Sequence, residues 1–257
     1  LNLFSYNQLA LDHLKEEDRF DLLVSHDWLA LPGGMAARRE GTPLIYHVHG
    51  LETGRSSNPN PQIVALEHKG LEVADLVITV SEAMKRELAG QGISEDKIRV
   101  CYHGVDCEFF DPEKVDRESL VALRERYGFD EDDIVILFVG RLEPVKGIRE
   151  LFSALPSVQS EYNRVKLLVL GVGSLDGWAK VEAERQGNIT LVTDFVDAEE
   201  KRLHYALADL CVFPSLYEPF GIVALEAAAM GKAAVVGAAG TSGLAEIVKN
   251  PAEDEPT

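Results

Sequence analysis

The sequence is poor in cysteine and holds no cysteine pair at a redox or metal-binding spacing. Its three cysteines, Cys101, Cys107 and Cys211, form no CxxC motif and no zinc spacing with histidine. Few thiols in odd number are typical of free cysteines in a reducing compartment. Cys101 and Cys211 also fall in strand-like runs, where burial is expected. We therefore predict free buried thiols and a cytoplasmic location.

Basic residues and long apolar runs are also scarce. No uncharged apolar stretch reaches the roughly 18 residues of a membrane-spanning helix, so we expect no integral membrane segment. The 43 acidic residues exceed the 25 basic ones and give a formal charge of −18. This balance argues against a broad surface for nucleic acid or anionic membranes. A solvated acidic surface is the simplest interpretation, with adaptation to high salt as the alternative. Any phosphate site must then be a local basic spot.

Short apolar runs recur along the 257 residues, and helix-like or loop segments separate them. The runs are mostly continuous and not alternating, which is typical of strands buried on both faces of a parallel sheet. Alternation of such strands with helices predicts a doubly wound α/β architecture. The nine runs are residues 21–25, 43–48, 75–80, 97–102, 134–140, 165–171, 189–193, 209–215 and 232–238.

Nine strands are many for one Rossmann-like sheet, and residues 103–133 contain no strand-like run. We interpret this polar, turn-rich and then helical segment as a junction between two Rossmann-like domains, residues 1–105 and 106–257. A ligand site is expected in the cleft between the domains. Because the chain opens with a helix and ends soon after a strand–helix unit, we expect an incomplete N-terminal domain and suspect a shortened C-terminal one.

The segment SLYEPFGIVALEAAAMG, residues 215–231, follows a strand and becomes a strong helix former. We expect Pro219 at the helix start, where its missing N–H has no cost. The amides of Phe220, Gly221 and Ile222 would then point out of the helix N-terminus, a position suited to anions or polar oxygens.

Two glutamates, Glu218 and Glu226, flank that predicted helix start with seven residues between them. At 1.5 Å per residue they would lie about 12 Å apart along the helix. Such carboxylates cannot share a proton or a metal, so they would contact different parts of an elongated ligand. The alternative is a helix-capping Glu218 and a surface Glu226.

The segment VGRLEPVKGIREL, residues 139–151, places Arg141 and Lys146 in a turn after a strand. Two cations at the carboxyl end of a parallel strand suit a diphosphate, because Arg offers a planar fork and Lys a point charge. The alternative is a pair of ordinary loop cations at a strand–helix junction.

Histidines 47 and 49 lie two apart on a predicted strand and should face the same side. We expect no metal site at His47 and His49, because no third ligand lies at a suitable spacing in the sequence. His49 precedes a glycine-containing loop and is the more probable functional residue of the two. Asp27, in VSHDWL, is interpreted as a helix cap.

Together these segments resemble one family, the retaining glycosyltransferases of the GT-B fold and family-four type. The motifs are the Glu-x7-Glu pair with EPFG, the GRL-x3-KG loop, ITVSEAM and HGVD. The N-terminal motifs HDWL, HVHGLETGR and ADLVITVSEAMKREL are similar to the glycogen-synthase-like, α-glucan-forming branch. The resemblance runs in order through nearly the whole chain.

The resemblance implies a role for each candidate residue. Arg141 and Lys146 would hold the nucleotide diphosphate and stabilise the leaving group without a metal. Glu218 would grip the donor sugar, Glu226 would hold the ribose, and His49 would sit near the transferred sugar. The remaining donor-binding residues implied are Phe220, Gly221 and Ile222 for the sugar, and Gly171, Phe195 and Val196 in the loops that read the base.

The activity implied is transfer of a hexosyl group, glucosyl in the first instance, from a nucleotide sugar to a glucan or other glycan acceptor. Anomeric configuration would be retained, and no metal or other cofactor would be needed. The partners expected are therefore a nucleotide-sugar donor and a glycan, with no nucleic acid. Three alternatives stay open: a transferase acting on a lipid, trehalose-type or cell-wall acceptor; a sugar-nucleotide-binding fragment without turnover; and, less favoured, a GT-B epimerase.

Overall fold

A computed structural model describes the backbone of residues 3–16 and 20–249 and the side chains of residues 5–14 and 20–249. The chain divides into two compact units, Leu1–His103 and Gly104–Thr257. Each unit is built around a parallel sheet, with four strands in the first and five in the second. Each predicted run overlaps one strand, so the α/β prediction with two parallel sheets is confirmed.

The first unit is a four-stranded sheet in the order β1-β2-β3-β4, with every described pairing parallel. Buried side chains alternate along β2, because one face of this strand packs more tightly than the other. The elements are α1 Leu3–Glu16, β1 Leu23–His26, α2 Asp27–Ala37, β2 Leu44–Val48, α3 Glu52–Arg55, α4 Pro61–Val73, β3 Leu76–Thr79, α5 Glu82–Gly90 and β4 Ile98–Val100, with a 3₁₀ turn at Glu95–Lys97.

The second unit is a five-stranded parallel sheet in the order β7-β6-β5-β8-β9. The strand order reverses direction between β5 and β8, which makes their carboxyl ends a topological switch point. The elements are α6 Arg117–Arg126, β5 Ile134–Val139, α7 Ile148–Glu161, β6 Val165–Leu170, α8 Asp176–Gln186, β7 Ile189–Val192, α9 Ala198–Leu207, β8 Leu210–Phe213, α10 Ile222–Ala229, β9 Ala233–Val236 and α11 Leu244–Ile247, with 3₁₀ turns at Pro112–Lys114 and Pro144–Lys146.

The central strand β5 shows why the second unit is doubly wound. Val135 and Leu137 pack into one buried cluster with Tyr205 of α9. Ile136 and Phe138 point to the opposite face and pack into a second cluster with helices α7 and α8. Both faces of the strand are therefore covered, which explains its continuous apolar sequence.

Two local predictions about helix starts are wrong. Helix α10 begins at Ile222 and not at Pro219, because Gly221 is its N-cap residue and adopts φ 98, a left-handed conformation that suits glycine. Helix α2 has His26 as N-cap with no side-chain cap bond, so Asp27 does not cap it.

The prediction of buried thiols is correct only for Cys211. Cys101 lies just beyond the end of β4 and is exposed, as is Cys107 in the following turn. All three cysteines are unpaired. Within the described residues, no helix is long and apolar enough to cross a bilayer.

Candidate functional site

The loops after β5 and β8 bring Lys146 and Glu218 together. The two strands pair in parallel, so their carboxyl ends share one edge of the sheet. The ammonium nitrogen of Lys146 lies 2.5 Å from Oε2 of Glu218, and both side chains are less than one-fifth exposed. Ser215 donates from its hydroxyl to the same oxygen at 3.2 Å. Glu218 is therefore an ion-pair partner, which excludes the alternative that it caps a helix.

The backbone around Glu218 is fixed by the loop between β9 and α11. Its amide donates to the carbonyl of Thr241 at 3.1 Å, and its carbonyl accepts from the amide of Gly243 at 2.8 Å. Glu218 and Ser242 form an isolated parallel bridge. The carboxylate is thus carried on an ordered turn. This support could not be predicted from the sequence, because the partners lie more than 20 residues further along the chain.

A cavity of about 160 Å³ opens beside this ion pair. Arg141, which is exposed, and Lys146 line it together with Gly221 and Ile222 at the start of α10. The first amides of a helix have no acceptor within the helix, so this terminus favours an anion. Phe220 is buried and does not line the cavity. The first-turn amides are consequently those of Ile222 onward, two residues later than the predicted start at Phe220.

A second cavity of about 350 Å³ adjoins the same strand end, because Val139, Gly140 and Arg141 line it as well. It collects the three other residues that the resemblance assigned to the donor, Gly171, Phe195 and Val196. Phe195 is 92% exposed, so its ring presents a stacking surface. Arg141 lines both cavities, so it is the basic residue that the two linings have in common.

Gly171, in the wall of the larger cavity, allows the chain after β6 to approach Gly140 at the end of β5 closely. It adopts φ 154, and a Cβ at this position would lie 1.8 Å from the carbonyl oxygen of Gly140. The neighbouring loop is also tied down, because Glu143 accepts from the amide of Ser174 at 3.0 Å and from its hydroxyl at 2.5 Å. The Ser174 hydrogen bonds lower the pKa of Glu143.

Glu226 is buried, and both carboxylate oxygens are engaged by α9. Lys201 donates to Oε1 at 2.6 Å and the Tyr205 hydroxyl donates to Oε2 at 2.8 Å. The surface-carboxylate alternative is therefore wrong. The predicted separation of about 12 Å between Glu218 and Glu226 assumed that both lie on one helix. This assumption is wrong, because residues 218–221 lie outside α10. Lys201 lines the larger cavity, and nothing in the sequence distinguished it from other cations on helix surfaces.

In the first unit, Asp27 organises the loop that carries His49. It is the one described non-glycine residue with positive φ, at 53°. Its carboxylate accepts from the backbone amide of His49 at 2.8 Å and from the guanidinium of Arg55 at 2.9 Å. These bonds across the strands explain why Asp27 is unavailable as a cap.

A buried carboxylate anchors the same loop from α4. Both oxygens of Glu67 accept from the backbone amide of Glu52, at 3.0 and 3.2 Å. Burial raises the pKa of Glu67 to about 7. The sequence analysis missed Glu67, because an acidic residue in an amphipathic helix looks like a solvated one.

His49 belongs to a cluster of four histidine rings. His47 and His49 stack with ring centroids 4.2 Å apart, so the prediction that they share a side is confirmed. Nδ1 of His26 lies 2.9 Å from Nε2 of His49, and Nε2 of His103 lies 3.3 Å from Nδ1 of His49. The argument that no third ligand accompanies the pair is wrong, because β1 pairs with β2 and sets His26 opposite His47.

Comparison with known proteins identifies the class that this fold and these sites define. The family model Glycosyl transferases group 1 matches residues 122–253, and the model Glycosyltransferase Family 4 matches residues 1–109. The first model alone covers about half of the chain. The chain therefore belongs to the group 1 glycosyltransferases, and the family resemblance seen in the sequence is confirmed.

Individual relatives agree with this assignment. The chain is 34% identical over 241 residues to an uncharacterised glycosyltransferase of Methanocaldococcus jannaschii, covering 91% of this chain and 61% of that protein. It is 34% identical over 244 residues to a glycogen synthase of Mycobacterium tuberculosis, covering 90% and 55%. The chain thus spans less than two thirds of either relative.

Solved structures agree on the fold. Anabaena HepE, solved in complex with UDP and glucose, superposes with a TM-score of 0.73 at 24% identity, covering 95% of this chain and 65% of that one. At this identity the likeness concerns the fold alone, and with the two parallel sheets it confirms the GT-B class.

Proposed function

We propose that the chain is part of a retaining glycosyltransferase that moves a hexosyl group, glucosyl in the first instance, from a nucleotide sugar to a glucan or other glycan. The observation that carries this proposal is the cavity of about 160 Å³ lined by Arg141, Lys146 and the start of α10. Two cations and a helix N-terminus at one cavity suit a diphosphate.

The cations would stabilise the leaving group. As the bond between the anomeric carbon and the phosphate oxygen breaks, negative charge grows on the nucleoside diphosphate. Arg141 offers a fork of donors, and the Lys146 ammonium has three N–H groups, of which Glu218 takes one. The same ammonium would therefore bind the diphosphate while Glu218 keeps it in position. In this proposal the two cations would supply the charge stabilisation, and no metal ion would be needed.

Glu218 would hold the donor sugar through its second oxygen. Oε2 accepts from Lys146 and Ser215, and within the described part of the chain Oε1 has no protein partner. A sugar hydroxyl is a fitting donor to Oε1. Because Lys146 and Glu218 are linked, the sugar and the diphosphate would be aligned by one rigid pair.

The larger cavity would take the nucleoside. Phe195 offers a ring for stacking on the base, and Gly171 and Val196 offer backbone groups at the wall. Glu226 is buried behind Lys201 and does not itself line this cavity. We keep it as the proposed acceptor for the ribose hydroxyls, through the lone pairs that Lys201 and Tyr205 leave unused. We add Lys201 to the proposed donor site, since it lines this cavity and holds Glu226.

Retention would follow from attack on the face that the phosphate leaves. A new bond forms between the acceptor oxygen and the anomeric carbon, the bond to phosphate breaks, and the acceptor proton passes to the departing phosphate oxygen. The products are a glycoside and a nucleoside diphosphate. On the family resemblance alone, we propose that His49 acts near the transferred sugar.

A sugar-nucleotide-binding chain without turnover is the second candidate. Its support is that both donor cavities are lined by residues of Gly104–Thr257 alone. Calorimetry with UDP, ADP and GDP, followed by a turnover assay, separates the two candidates, since binding without turnover favours the second.

The test of the first candidate is a transfer assay with UDP-, ADP- and GDP-glucose, offering a soluble glucan and a lipid acceptor in parallel. We expect glycan product whose new linkage keeps the α configuration of the donor, as read by NMR. Lys146→Ala should lower turnover at least about 100-fold, whereas Lys180→Ala, an exposed change on α8, should not. Unchanged turnover in Lys146→Ala would overturn the role assigned to Lys146. Transfer to the lipid alone would show that the acceptor is a lipid and not a glycan.

A further inference from the structure

The histidine cluster of the first unit has the composition and spacing of a metal centre. One ring nitrogen from each of His26, His47 and His49 lies within 4.8 Å of the other two. His26 is the last residue of β1, His47 is in β2, and His49 follows the end of β2. Two neighbouring parallel strands therefore deliver three imidazoles to one place.

We propose that His26, His47 and His49 bind a divalent transition-metal ion of the zinc class. Imidazole nitrogens suit Zn²⁺ and its neighbours in the first transition row, whereas Mg²⁺ and Ca²⁺ prefer oxygen. Three histidines with a fourth position left for water or another ligand form a known type of zinc site.

The distances require only a small rearrangement. Zinc holds nitrogen ligands at about 2.0–2.1 Å in a tetrahedron, which sets neighbouring nitrogens roughly 3.3 Å apart. The His26 and His49 nitrogens face each other at 2.9 Å, so they would separate by a few tenths of an ångström. The His47 nitrogen lies within 4.8 Å of the other two, so it would have to approach them by up to about 1.5 Å to reach this spacing.

An unsatisfied nitrogen supports the site independently. Nε2 of His47 is enclosed by protein and has no hydrogen-bond partner among the residues that the structure describes, an arrangement that costs free energy unless a ligand is bound.

His103 lies where it could orient the ring of His49 without binding the metal itself. Its Nε2 lies 3.3 Å from Nδ1 of His49, on the opposite side of that ring from His26. Donation from Nδ1–H of His49 to His103 would leave Nε2 of His49 available for the metal. Such outer partners orient a ligand ring and typically change metal affinity by about 10–100-fold.

The experiment is equilibrium dialysis of the chelator-stripped chain, produced without a histidine tag, against Zn²⁺ at about pH 7.5, with metal analysis of the retained protein. We expect one Zn²⁺ per chain. His26→Ala and His47→Ala should abolish this binding, His103→Ala should weaken it about 10–100-fold, and His68→Ala, an exposed change on α4, should leave it unchanged. Circular dichroism checks that each variant is folded.

Zinc K-edge absorption on the unsubstituted chain provides a readout that does not depend on variants. About three nitrogen neighbours at 2.0–2.1 Å would support the site. Sulfur neighbours, a failure of the unsubstituted chain to retain Zn²⁺, or equal retention by a folded His26→Ala variant would overturn it. Because no sugar nucleotide is present, these outcomes are independent of the proposed transfer activity.

Discussion

Lys146 and Glu218, 72 residues apart in the chain, form one ion pair at the carboxyl edge of the second sheet, with 2.5 Å between Nζ and Oε2. Each side chain is largely covered, so water solvates neither charge well. Loss of one charge therefore leaves the other poorly compensated. Both residues also line the cavity to which we assign the diphosphate. The pair therefore links the stability of the site to its proposed chemistry.

The ion pair predicts a coupled effect on stability. Lys146→Ala should lower the free energy of unfolding by about 1–3 kcal/mol, because the Glu218 carboxylate is left covered and unpaired. Adding Glu218→Gln should recover part of that loss, since the amide carries no charge. Calorimetry on the single and double variants measures the coupling, with Lys180→Ala as the exposed control. Additive losses in the double variant would contradict the pairing.

Substitution by alanine should change the free energy of unfolding in opposite directions at two glycines that lie six residues apart. Gly171→Ala forces a Cβ to within 1.8 Å of the Gly140 oxygen at φ 154, so we expect a loss of at least about 1–3 kcal/mol. Gly177→Ala lies within α8 with open space around it, so a gain of about 0.5–1 kcal/mol is expected. Urea unfolding midpoints compare the two, and a tolerated Gly171→Ala would show that the close loop approach is wrong.

Glu67 predicts a pH-dependent stability. Its pKa is about 7 in the folded chain and 4.5 for an ordinary glutamate, so folding favours the protonated form. The contribution is fully present below pH 4.5 and is lost as the pH rises through about 7. Glu67→Gln should remove this part of the pH profile, because the amide still accepts from Glu52.

Melting temperatures of the unsubstituted chain, Glu67→Gln and the exposed control Glu184→Gln, taken between about pH 4.5 and 7.5, measure this effect. The difference between the unsubstituted chain and Glu67→Gln should change steadily across that interval, while Glu184→Gln follows the unsubstituted chain. Parallel profiles for all three would mean that Glu67 does not titrate there.

Substitution of Lys201 should change the affinity for the donor more than the rate of the chemical step. It holds Glu226 and lines the larger cavity, but in our proposal it does not touch the reacting bond. Lys201→Met should raise the KM for the nucleotide sugar about tenfold and change kcat less. Steady-state kinetics with Lys180→Met as control measure this division. A loss confined to kcat would place Lys201 elsewhere in the mechanism.

The fold was largely predictable because buried parallel strands leave a local signal. Each of the nine apolar runs overlaps a strand, and the two wrongly predicted helix starts differ from the observed ones by a few residues. Pro219 suggested a helix start by local preference, but the left-handed Gly221 and its support from the loop before α11 decided the actual one. Tertiary contacts of this kind have no signature within a short window.

The site residues that belong to sequence motifs could be predicted. The residues that reach the site from distant parts of the chain could not. Arg141, Lys146, Glu218 and Gly221 come together as the motif spacing suggested. The engagement of Glu226 by Lys201, and the arrival of His26 beside His49, depend on which strands and helices become neighbours. Asp27 shows the same limit, because its carboxylate bonds across the sheet and not along its own helix.

Calorimetric titration of UDP, ADP and GDP into the chain and into Arg141→Ala and Lys146→Ala most directly tests the claim that these two cations bind a diphosphate. We predict that at least one of the nucleotides binds, that each substitution weakens its affinity about tenfold or more, and that Lys180→Ala leaves it unchanged. Equal affinity in the unsubstituted chain and both cation variants would contradict the account.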